Sequence, residues 1–215
     1  MQLEELNKRY SLLSPKDRIK ELYKDFDRVL FTSSFGTTAA FLLHLFHSVK
    51  PQQQIYFLDT TYHFNETLDY KNKLTSLLNL NVIDIKPEEW KNKFTKEDKT
   101  WNSDPDLCCS INKVEPLDKI KPNFQVWVSG LMSSQNNYRG TLKVFEEKEG
   151  ILKFYPLVDL KEQDAFDYIK KNNLPEHPLL KAGFSSVGCF HCTVAGKGRS
   201  GRWVNKSKTE CGLHL

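Results

Sequence analysis

The 215-residue chain reads as an α/β protein with an open, mostly parallel sheet and flanking helices. Three observations lead there. Short apolar runs alternate with helical stretches, the pattern of parallel βαβ units. Three of those runs stop at turns rich in hydroxyls or glycine. A composition of 39% hydrophobic and 27% charged residues suits a chain of this length that buries one sizeable core.

In chain order, Ser14-Pro15-Lys16-Asp17 reads as a helix start, with serine as N-cap and proline in the first turn, and Leu22 and Phe26 follow on one face. Val29-Leu30-Phe31-Thr32 is a buried strand, Ser33-Ser34-Phe35-Gly36 its turn, and Thr37 to Phe46 a helix. Ile55 to Leu58 is a second strand ending at Asp59-Thr60-Thr61, followed by a helix over 64–78 and a third strand at Val82 to Ile85. The polar stretch 95–107 reads as a loop over the sheet. Phe124 to Val128 is a fourth strand stopping at Ser129-Gly130; an extended piece at 152–157 and a helix over 159–169 complete the regular structure. Beyond Leu174-Pro175 no period is legible. The expected organisation is a helical segment at 1–27, an α/β domain at 28–195 and a mobile basic segment at 196–215.

The first residues lack the apolar run and cleavage site of a secretory signal, and no stretch approaches the roughly 18 apolar residues of a membrane span. A cytoplasmic protein with reduced thiols is expected, with no membrane or nucleic-acid partner; a homo-oligomer is compatible with the sequence. The net charge of +4 is unevenly spread. From His177 onward, Lys181, Lys197, Arg199, Arg202, Lys206 and Lys208 face one acid, Glu210. Such a segment attracts anions and lowers the pKa of a neighbouring thiol, although a solvated basic face has the same composition.

Ligands of open α/β sheets bind at the carboxyl ends of the strands. There "TSSFGTTAA" places hydroxyls and a glycine at a helix N-terminus, a natural anion position that lacks the Walker pattern. The five cysteines fall as Cys108-Cys109, Cys189-x-x-Cys192 and Cys211 alone. Two close pairs far apart in sequence can converge on one metal centre, zinc or iron–sulfur. Adjacent thiolates suit one tetrahedral ion poorly, whereas on a cubane each can bind a different iron, which favours [4Fe-4S]. His191, between the last pair, reads as an exposed neighbour of that site.

"SSFGTTAA", "YFLDTTYHFNETLDY", "CCSINKVEPL", "GCFHCT", "RSGRW" and "KTECGLH", in that order, resemble the assimilatory sulfonucleotide reductases, specifically the iron–sulfur, thioredoxin-dependent adenylyl-sulfate branch. The likeness runs from about Val29 to His214. It implies an oxidoreductase of sulfate assimilation and cysteine biosynthesis, on a fold similar to the ATP pyrophosphatases, that reduces adenosine 5′-phosphosulfate to sulfite and AMP. By motif it implies a [4Fe-4S] cluster on Cys108, Cys109, Cys189 and Cys192. Cys211 becomes the nucleophile that forms an S-sulfocysteine, discharged by thioredoxin or a glutaredoxin-like donor. Lys113, Arg199, Arg202 and His214 are implied around the sulfate. Ser33, Ser34, Gly36, Leu58, Thr60, Gly130 and Arg139 are implied around the nucleotide.

Two positions depart from the pattern: Asn112 replaces an arginine before the lysine, and Met132-Ser133 replaces an Arg-Arg pair. Fewer cations near the nucleotide leave open a 3′-phosphorylated or dual substrate. A tRNA-thiolating pyrophosphatase would need an aspartate that the 33–38 loop lacks, and a zinc-bearing nucleotide-binding module would have no use for Cys211.

Overall fold

A computed structural model describes residues 2–214, so Met1 and Leu215, the outer limits of the first and last expected segments, lie outside the described residues. Two amphipathic helices open the chain, α1 (Leu3–Ser11) and α2 (Pro15–Asp25). The Ser14 side chain accepts the Asp17 N–H, which makes it the N-cap that its sequence suggests. Strand β1 (Val29–Thr32) leads into α3 (Ala39–Val49), β2 (Gln54–Leu58), α4 (Asn65–Leu77) and β3 (Asn81–Ile85). After an all-helical stretch come β4 (Val126–Val128), β5 (Phe145–Lys148), β6 (Ile151–Phe154) and a further helix at Glu162–Lys171.

The sheet runs β3-β2-β1-β4-β6-β5, parallel except for β5, which pairs antiparallel with β6 at the edge. Alternation along β1 divides the interior. Val29 and Phe31 face the larger core with Leu6, Ile19, Leu43 and Leu74, while Leu30 faces a smaller one with Leu117, Trp127 and Ile151. Both N-terminal helices therefore share the core of the α/β body. Strand order reverses between β1 and β4, the place where open α/β sheets leave a crevice.

Two features differ from the sequence reading. The polar stretch 95–107 is largely helical: α5 (Glu89–Glu97) reaches into it, then α6 (Thr100–Ser103) and α7 (Pro105–Cys109). Asp104 accepts the N–H groups of Asp106 and Leu107, so the residues that read as a turn cap a short helix. Second, β5 and β6 form a hairpin whose two loop residues, Glu149 (φ 53°) and Gly150 (φ 74°), both lie in the left-handed region that a tight primed turn requires.

Beneath α4, His177 is wholly buried, with Nε2 3.2 Å from the Thr67 hydroxyl and Nδ1 accepting the Leu179 N–H. Burial pushes its pKa from 6.5 down to about 4. The stability it carries is complete above pH 6.5 and is lost as pH falls from there through about 4, a loss of roughly 3 kcal/mol. Urea titrations at pH 7.5 and 4.5 should show His177→Gln, which cannot protonate, losing clearly less stability on acidification than the parent; equal losses would refute the assignment.

Candidate active site

At the reversal between β1 and β4 lies a cavity of about 210 Å³. Its floor is the carboxyl ends of three strands: Thr32 at the end of β1 with Ser33 and Ser34 after it, Leu58 at the end of β2, and Ser129 to Leu131 after β4. Gly36, Thr37 and Thr38 bring in the start of α3, whose N-cap makes no side-chain hydrogen bond, so the positive end of that helix faces the cavity without a side-chain cap. A side chain at Gly130 would meet Leu42 at 3.3 Å, tighter than most packed contacts. Of the seven residues implied around the nucleotide, Ser33, Ser34, Gly36, Leu58, Gly130 and Arg139 line this cavity. Thr60 does not. It is buried behind Leu58, its carbonyl accepting from Asn92 and its hydroxyl 3.6 Å from the Cys189 sulfur.

The opposite wall is built by the C-terminal segment, which folds back over the sheet. Arg202 stacks 4.4 Å above the Trp203 ring and reaches the Ser186 hydroxyl and the Val187 carbonyl. Gly188 permits this, since a Cβ there would lie 2.2 Å from Arg202 Nη2. Arg199 donates to the Glu210 carboxylate and to the Thr209 carbonyl, and burial lowers its pKa to about 10. His214 stacks on Trp127 at 5.7 Å; burial and the nearby Arg139 press its pKa down to about 3, so its ring is neutral. Among the described residues, Arg199 Nε, Arg202 Nε and His214 Nδ1 are buried without a hydrogen-bond partner. Trp203 Nε1, in the same lining, is also unpaired, and four such atoms around one cavity indicate a polar ligand.

Cys211 hangs into the same space with its sulfur 3.7 Å from Lys113 Nζ. A hydrogen bond from Cys109, together with the Lys113 charge, holds the Cys211 thiol well below the usual thiol range against the opposing effect of burial. Burial alone would lower Lys113, but the sulfurs of Cys189, Cys211 and Cys109 outweigh it and keep the ammonium charged. Lys113 is aimed there by a π-helical turn, Ser110–Val114, that continues α7 into α8 (Glu115–Asp118).

Cys108, Cys109, Cys189 and Cys192 line a second, enclosed cavity on the far side of Lys113, with Tyr62, Trp101, His191 and Trp203. His191 is exposed and stacks flat on Trp101 at 4.0 Å. Among the described residues no three His, Cys, Asp or Glu side chains close on a single point as one metal ion requires. The sulfurs instead surround a space. Burial and the charges of Cys189 and Cys192 push the Cys108 thiol up to about 11, and burial also raises Cys192. Left to themselves these two thiols stay protonated, and holding them as thiolates would take a cationic centre. Asn112 Nδ2 lies 3.7 Å from the Cys108 sulfur and the Thr60 hydroxyl 3.6 Å from that of Cys189, placing polar groups around the sulfurs. Cys108, Cys109, Cys189 and Cys192 are the residues that could hold a metal centre.

The departures noted in the sequence fall away from the nucleotide side. Asn112 is buried against the cysteine cavity, bonded to Asn92 and Thr95, and Met132 is in the main core. Two residues that sequence reasoning passed over are central. Glu210 is 1% exposed and bonded to Arg139, Arg199 and the Cys211 N–H; its being the one acid in a basic run was the available signal. Lys153 on β6 is buried, donates to the Leu213 carbonyl and lies 4.6 Å over the Trp127 ring, with its pKa lowered to about 8 by burial. No local pattern marks it. Also among the described residues, no helix is long and apolar enough to cross a membrane.

Known proteins share this fold and sequence. Residues 28–195 match the phosphoadenosine phosphosulfate reductase domain. An adenosine 5′-phosphosulfate reductase of Bacillus cereus is 37% identical over 202 residues, covering 89% of this chain and 86% of that protein; one of Bacillus mycoides is 36% identical over 198 residues, covering 88% and 85%. The crystal structure of a phosphoadenylyl-sulfate reductase from Candida auris, a phosphate complex, superimposes with a TM-score of 0.79 at 29% identity, over 90% of this chain and 98% of that one. The FMN adenylyltransferase of Candida glabrata shares the fold alone, with a TM-score of 0.62 at 13% identity over 90% of this chain and 73% of its own. By domain match and by relatives that align over most of both chains, the protein belongs to the phosphoadenosine phosphosulfate reductase domain family.

Proposed function

We propose that the chain reduces adenosine 5′-phosphosulfate to sulfite and AMP, with Cys211 as nucleophile and a thioredoxin-type dithiol as electron source. The observation that carries this reading is the placement of the Cys211 sulfur, 3.7 Å from the Lys113 ammonium, in a cavity that also holds Arg199, Arg202 and the start of α3. A thiolate approaching a phosphosulfate meets anionic oxygens, and fixed cations offset that repulsion. The Cys211 thiolate attacks the sulfate sulfur, the S–O bond to the phosphate breaks, and AMP leaves with the electron pair. A donor thiolate then attacks the Cys211 sulfur of the S-sulfocysteine and expels sulfite. The donor's second thiol breaks the mixed disulfide, so the two electrons come from one dithiol.

The cavity's parts take distinct tasks. Arg199 and Arg202 hold anionic oxygens, their unpaired Nε groups included, and Lys113 neutralises charge beside the reacting sulfur. Neutral His214 closes the cavity from the tail and offers its unpaired Nδ1 to the same oxygens. Ser33, Ser34, Gly36, Leu58 and Gly130 form the nucleotide side. Thr60 acts at one remove, through Cys189. The closed tail must also open to present Cys211 to the donor, so its mobility belongs to the cycle.

Cys108, Cys109, Cys189 and Cys192 would hold a [4Fe-4S] cluster. When bound it would tie the C-x-x-C segment to α7 and supply a fixed field beside Lys113. The Bacillus relatives carry the adenylyl-sulfate name, while the Candida auris structure is of a phosphoadenylyl-sulfate reductase, so both nucleotides belong in the test. Protein purified without oxygen should be coloured, contain iron, and release sulfite from adenylyl sulfate with reduced thioredoxin faster than from the 3′-phosphorylated compound. A fully active, iron-free preparation would remove the cluster, and inactivity on both nucleotides would remove the function.

A further inference from the structure

Arg139 was expected at the nucleotide, and it does line the cavity, but the fold has already engaged it. It is 5% exposed; Nε donates to Glu210 Oε2 at 2.6 Å, Nη2 to Glu210 Oε1 at 2.8 Å, and Nη1 to Gln135. This forked contact spans 71 residues and meets a carboxylate on the C-terminal segment immediately before the nucleophile. The same carboxylate accepts from Arg199 at 3.0 Å, from Asn136 at 3.3 Å and, through Oε1, from the Cys211 N–H at 2.9 Å. Arg199 and Arg202 each keep an unpaired Nε among the described residues, whereas every Arg139 nitrogen has a partner.

We propose that Glu210 and Arg139 form the latch that seats the tail: the carboxylate docks on the Arg139 fork and, through its contact with the Cys211 N–H, sets the position of the reacting sulfur. Arg139 is then a positioning residue for the nucleophile and leaves the anions to Arg199 and Arg202. A forked arginine–carboxylate pair fixes orientation as well as distance, and a buried one tolerates the loss of neither partner. Arg199 touches the latch and lines the cavity, so it links the state of the tail to the ligand it holds. The importance of the latch for turnover rests on the reading of Cys211 as nucleophile; its role in closing the tail does not.

The test uses the full chain purified without oxygen. Wild type, Glu210→Gln, Arg139→Gln and the double variant are treated with iodoacetamide, and modification of each cysteine is followed by peptide mass spectrometry. Both single variants should raise the Cys211 rate at least about tenfold, equivalent to about 1.4 kcal/mol in the closing equilibrium, and the double variant should add little to either. In turnover kcat should fall about tenfold while KM changes less than about threefold, and Glu210→Asp should restore part of both. Arg139→Lys keeps the charge without the fork and should open the tail more mildly. A Cys211 rate in Glu210→Gln within twofold of wild type overturns the proposal. So does an equal rise at the other four cysteines in both Glu210→Gln and Arg139→Lys, because the pair would then hold the whole fold. Turnover that persists in Cys211→Ser refutes the nucleophile instead, and the labelling result stands independently of it.

Discussion

Replacing Cys211 by serine is expected to lower sulfite release from adenylyl sulfate by at least about a thousandfold, because the reaction loses its attacking atom. The site is built to stabilise a thiolate. The Lys113 ammonium, 3.7 Å from the sulfur, favours the Cys211 thiolate, and the same contact does not bring a serine hydroxyl to its anion near neutral pH. With the wild-type chain and no reductant, substrate should convert once and leave Cys211 heavier by one SO3 group in the intact-protein mass spectrum. The serine chain should bind AMP as well as the parent and show no adduct. A serine variant that turns over at more than a few per cent of the parent rate would place the sulfur–oxygen cleavage elsewhere.

Lys113→Ala should reduce kcat by about a hundredfold, with iron content unchanged and a much smaller effect on KM. Lys113 stands between the two cavities, in contact with Cys211 on one side and lining the cysteine cavity on the other. Its charge survives burial only because Cys189, Cys211 and Cys109 surround it, so it is available where negative charge gathers. The loss belongs in the chemical step because the nucleotide side of the cavity is made by Ser33, Ser34, Leu58 and Gly130, on other elements. Metal analysis and single-turnover rates check this together. An alanine variant that keeps iron and more than half of kcat would reduce Lys113 to packing.

Much of this was legible in the sequence, for identifiable reasons. Apolar runs ending at hydroxyl or glycine turns gave β1, β2 and β4 because parallel strands buried on both faces leave no other pattern. The cysteine spacing gave the second cavity because paired thiols carry their meaning locally. Edge strand β5 escaped notice: Phe145-Glu146-Glu147-Lys148 has one apolar residue to bury and a charged outer face, which in sequence resembles a loop. Helices α6 and α7 are too short to show a period, and Pro105 beside Asp104 reads equally as a turn or as a capped start. The sequence places Arg139 at the nucleotide, and only the folded chain shows that it meets Glu210. A contact across 71 residues has no local trace.

The π-helical turn at Ser110–Val114 has a consequence for how this region can vary. Asn112 and Lys113 are neighbours in sequence, yet one serves the cysteine cavity and the other reaches the nucleophile. Inserting or deleting one residue between Cys109 and Pro116 would rotate everything on one side by about 100° and carry both side chains off target at once. Side chains in this stretch can change singly, each at its own cost, but the number of residues cannot. The segment works as a ruler, and its length is the more tightly determined property.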